Sequence, residues 1–170
     1  MVSLGRTVSR GVFREECDLR MLEILVGEGS YREAAGLAVS AARRIEEPGR
    51  ASRLRGLELE ALYGLGRDEE LLALLERHLS AASDPAAARR ADPQLAFLEA
   101  AAAARLGRPG WTERIRKLAW GYRSASAHPR AVAFIEGEAE RIEPFTTAEL
   151  ELFRGKAALA EGRIEAATML

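Results

Sequence analysis

Apolar residues recur every three or four positions along nearly the whole chain, and short joints of glycine, proline and capping residues separate the runs. That period lines one face of a helix, so it predicts helix after helix. The first is expected from about Arg14 to Gly27, where Leu19, Leu22 and Val26 share a face with Met21 and Leu25 beside them. Gly27-Glu28-Gly29 stops it. Ser30 and Glu33 have capping-box spacing and open a second helix to about Ile45, closed by Pro48-Gly49. A third is predicted over about Ala51–Leu65, ending at Gly66. Asp68 is expected to cap a fourth, which carries Leu71, Leu72, Leu75 and Leu79 and fades near Ser83.

In Asp84-Pro85 and Asp92-Pro93 a carboxylate precedes a proline at a first helical position, where the missing amide costs nothing. The piece between them is expected to be a helical turn or a loop. A helix then runs from Pro93 to about Leu106 and ends at Gly107. Trp111, Ile115, Leu118 and Tyr122 stripe the next. Val132, Ile135, Ala139 and Ile142 mark another after His128-Pro129. Thr146 and Glu149 form a second capping box, opening a helix through Leu159 that Gly162 ends. Ile164, Ala167 and Leu170 begin a further stripe with room for only about two turns, so the chain is expected to continue in a longer protein.

With 170 residues, this organisation reads as an N-terminal tail over 1–13 and a single helical domain over 14–170, truncated at its C-terminus. Composition sharpens the class. Alanine, leucine, arginine and glutamate dominate, while strand formers are sparse. Lys117 and Lys156 are the only lysines; an arginine bias of this kind points to a high-GC genome rather than to a function. The 25 basic residues balance 26 acidic ones, for a net charge of −1. That excludes the basic excess of a nucleic-acid module and electrostatic capture by an anionic membrane. No apolar run is long enough to span a bilayer, so no membrane insertion is expected. No signal-peptide stretch precedes Phe13; the cytoplasm is favoured, or the periplasm if a leader has been removed.

The lone Cys17 permits no intrachain disulfide and is expected to be a half-buried helix residue. His78 lies among leucines and His128 precedes a proline, so both read as structural. There is no HExxH pair, cysteine–histidine cluster, calcium loop or phosphate-binding loop; neither a cofactor nor a metal is expected. Carboxylates two apart, such as Glu58 and Glu60 or Glu136, Glu138 and Glu140, point to different sides of a helix and read as solvated. Arg114, Arg116 and Lys117 beside Trp111 and Trp120 could pair stacking with phosphate contact, but Trp111 sits on the apolar stripe, which favours packing.

The spacing of Leu22, Leu25, Gly29, Tyr31, Ala34, Ala38 and Ala41 resembles the tetratricopeptide repeat, a family of antiparallel helix pairs of about 34 residues each. Gly155, Ala158, Gly162, Ile164 and Ala167 repeat it near the end. Leu59, Leu62, Gly66, Leu71 and Leu75 keep the frame, with Asp68 in place of the aromatic and His78 where a small residue is expected. Around Gly107, Pro109 and Thr112 depart further. The turn glycines Gly29, Gly66, Gly107 and Gly162 stand 37, 41 and 55 residues apart, and the last interval requires an extra helix, roughly Pro129 to Ile142.

The resemblance implies an all-α fold, antiparallel hairpins stacked into a right-handed α-solenoid. It also implies a non-catalytic interaction scaffold whose first helices line a concave groove for a peptide, a helix or a neighbouring domain. The groove residues it implies are Glu16, Glu23, Arg53, Glu60, Tyr63, Gln94, Phe97, Arg105, Glu149 and Lys156. Two other readings share the architecture. One is the superhelical region of a bacterial peptidoglycan lytic transglycosylase lacking its catalytic domain, for which the Phe145–Leu170 stretch is the motif. The other is a sensor domain of a bacterial transcription regulator.

Overall fold

A computed structural model describes residues 3–80, 84, 92–120, 127–137 and 147–160, and at 3–10, 127–129 and a few further helical positions it describes the backbone alone. Among the described residues there are helices and no strands: α1 (Ser3–Gly27), α2 (Tyr31–Ala42), α3 (Pro48–Gly64), α4 (Asp68–Ser80), α5 (Pro93–Arg105), α6 (Trp111–Trp120), α7 (Ala127–Gly137) and α8 (Thr147–Ala160). The protein is all-α. Contacts gather the chain into two compact units, residues 1–71 and 72–170, with the boundary inside α4.

The joints are made by backbone rather than side chains. Gly29 takes φ 77°, Gly66 68° and Gly107 66°, a left-handed conformation that costs a side-chain-bearing residue energy. Each closes the same Schellman motif. The Gly29 and Ser30 amides donate to the carbonyls of Val26 and Leu25, those of Gly66 and Arg67 to Tyr63 and Leu62, and those of Gly107 and Arg108 to Ala104 and Ala103. Orphan carbonyls at three helix ends are thereby satisfied. Gly162 lies outside the described residues, as do Thr146, the 85–91 piece and everything after Ala160.

Several start signals work differently from expectation. Ser30 makes no side-chain cap: with ψ at 54° it is both the last residue of the Schellman turn and the N-cap position of α2, and its hydroxyl reaches no amide. Asp68 is the first residue of α4 and is 7% exposed. Pro48-Gly49 opens α3 instead of merely closing α2, because the Glu47 carboxylate accepts from the Gly49 and Arg50 amides, both at 2.9 Å. Asp92 does cap α5, accepting from Gln94 at 3.0 Å and Leu95 at 3.3 Å ahead of Pro93. Helix α1 reaches back to Ser3, so most of the expected tail is helical.

In the first unit, α1 packs on α2, α2 on α3, and α1 also on α3. The core joins Leu19 and Leu22 of α1, Ala34, Ala38 and Ala41 of α2, and Leu54 and Ala61 of α3. The α2 alanines are fully buried, which lets neighbouring helix axes come close. Tyr31 lies against Gly64, where any side chain would overlap its ring.

The second unit repeats the order: α5 on α6, α6 on α7, α7 on α8, and α5 also on α7. Ala100 to Ala104 are all buried, so α5 is enclosed on every side. Helix α7 supplies the extra helix demanded by the long glycine interval.

Candidate functional site

Three of the ten residues implied for the groove meet in the first unit. Glu16 and Glu23 lie on one side of α1 at helical spacing, with Arg20 between them, and Arg53 comes up from α3. The Arg53 guanidinium donates to Glu23 Oε1 from Nε at 2.8 Å and from Nη2 at 2.5 Å, and to Glu16 Oε1 from Nη1 at 3.0 Å. Arg20 completes the network, 3.1 Å from Glu23 and 3.4 Å from Glu16.

Arg53's hydrogen bonds hold the Glu23 carboxyl below its usual range, aided by the charges of Arg53 and Arg20, while Glu23 and Glu16 raise the guanidinium's pKa. Two more pairs tie α1 down. Glu15 meets Arg50 at 2.9 Å, and Asp18 accepts from Arg44 at 2.6 Å. The Arg53 fork suits this role because its donors diverge in a plane and can serve two carboxylates at once. Glu60 and Tyr63 follow Arg53 on the same side of α3, seven and ten positions on, and both are half-buried.

The other five fall in the second unit and do not form one cluster among themselves in the contacts described. Phe97 is 2% exposed, edge-on to Phe134 at 6.1 Å and beneath the Arg130 guanidinium at 4.6 Å, so its ring is spent on packing. Gln94 is half-buried in the first turn of α5, and Arg105 is exposed at its last. Glu149 is half-buried with its carboxylate 3.9 Å from Arg116, and Lys156 is half-buried on α8.

The basic cluster near the tryptophans is matched by carboxylates. Arg114 meets Glu99 at 3.0 Å, Arg116 meets Glu149, and Lys117 meets Glu113 at 3.5 Å. Trp111 is half-buried and packs edge-on to Phe134 at 6.2 Å. The Trp111 ring is thus used in packing, and each of these three basic side chains faces a carboxylate. His78 is half-buried. Cys17, expected to be half-buried, is exposed and free, because it lies on the side of α1 opposite Leu19 and Leu22.

Among the described residues no three His, Cys, Asp or Glu side chains stand close enough to hold a metal ion. No described helix is long and apolar enough to cross a membrane. Sequence reasoning missed Glu47, Glu15–Arg50 and Asp18–Arg44; the Glu-Pro pair before α3 is the signal that could have revealed the first. Protein-family models, curated proteins and solved structures give no match to this chain.

Proposed function

We propose that this chain is a non-catalytic protein–protein interaction scaffold, built from tetratricopeptide-like hairpins wound as a right-handed solenoid, and that it takes a peptide or helix along its first helices. What carries the reading is the packing order: consecutive helices touch within α1–α3 and within α5–α8, and the first helix of each run also touches the third. That leaves α1 and α3 side by side in the first unit with half-buried polar residues between them. Stacked hairpins expose such a row of first helices as a groove.

The charges in the row have mixed signs, and Glu16, Glu23 and Arg53 are paired with one another, which suits a ligand recognised by shape and backbone hydrogen bonds more than one of high charge. Glu60 and Tyr63 are the selective positions, since Arg53 is committed to holding α1 and α3 together.

The test selects binding peptides from a random displayed library on the purified chain, then measures their affinity for Glu60→Arg, Tyr63→Ala and the control Val39→Glu on the outer side of α2. Loss of about tenfold or more in the first two and none in the control is expected, the size of one lost contact worth about 1.4 kcal/mol. Peptides that bind all three variants equally refute the groove.

A further inference from the structure

We draw no further inference here: the strongest candidate, the exposed apolar stripe of Phe13, Cys17, Met21 and Ile24 on the side of α1 opposite Leu19 and Leu22, is an unpartnered helix face, and nothing in the structure shows what covers it.

Discussion

Replacing Gly64 by alanine should destabilise the first unit, although alanine is the better helix former. Gly64 ends α3, and a methyl group placed there would stand 2.5 Å from Tyr31 Cγ and closer still to Cδ2 and Cε2. Carbon atoms pack best at about 3.5–4.0 Å. Cγ is the root of the ring, so spinning the ring about its own axis does not clear the overlap; the side chain must leave through χ1 or α2 must move away from α3. Overpacking of this kind costs about 1–3 kcal/mol. The intrinsic gain of alanine over glycine in a helix is about 1 kcal/mol, less at its end. The net expectation is a loss of about 1 kcal/mol.

In a Tyr31→Ala background the obstacle is gone and only the helical gain remains, so Gly64→Ala should stabilise that protein by up to about 1 kcal/mol. The sign reversal, a coupling of about 2 kcal/mol across the cycle, is the quantity of interest. Urea unfolding of the four proteins by circular dichroism gives the totals. Native-state hydrogen exchange of α2 and α3 amides places the change in the first unit. Alanine at 64 that stabilises both backgrounds alike would refute the close packing of Tyr31 on α3.

The other glycines of α3 and its joint should split in the same assay. Gly66→Ala forces φ 68° on a side-chain-bearing residue and is expected to cost about 1 kcal/mol, whereas Gly56→Ala meets nothing within 4 Å and should gain about as much. Asp92→Ala removes the acceptor for two first-turn amides of α5 and should lower the stability of the second unit by about 1 kcal/mol, followed by tryptophan fluorescence because Trp111 and Trp120 both lie there.

Acid should weaken the first unit through Glu23, whose carboxyl is held low by Arg53, and Glu47, held low by the Arg50 and Gly49 amides. A carboxyl depressed in the folded state contributes stability that is whole above its unfolded pKa and is lost as pH falls through its folded one. The urea midpoints of the wild type and Arg53→Ala should therefore differ at neutral pH and converge in acid; a gap that stays constant would mean that Arg53 stabilises the fold through packing and not through its charged partners.

Helices with long apolar periods and glycine stops were legible in the sequence because periodicity and left-handed glycine conformation are local properties. Gly29, Gly66 and Gly107 each close a turn between helices, and Ala34, Ala38 and Ala41, at helical spacing, are fully buried. What local pattern could not show was competition for one residue. Ser30 and Glu33 satisfy the capping-box spacing, but Ser30 is already fixed by its amide bond to the Leu25 carbonyl at 2.8 Å. The alternation in α1 marked Met21 as a neighbour of the core face, yet Leu19 and Leu22 take that face and leave Met21 outside. Phe97 shows the limit of carrying a groove over by position: a large apolar ring near Phe134 gains more from burial than it would on a surface.

The same competition decides which part of the candidate face folding already uses. A ligand that wanted Arg53 would have to break its contacts within 3.0 Å to two carboxylates, leaving Glu16 and Glu23 with the more exposed Arg20 alone. Partly exposed pairs of this sort contribute up to about 1 kcal/mol each to folding, so binding at Arg53 would be opposed by the fold that creates the face. An Arg53→Glu variant would thus lose partner binding through loss of the α1–α3 contact, whatever the ligand touches. Glu60→Arg and Tyr63→Ala lie farther along α3, away from the Arg53 ion pairs, and the urea midpoint of each variant tells lost recognition from lost folding.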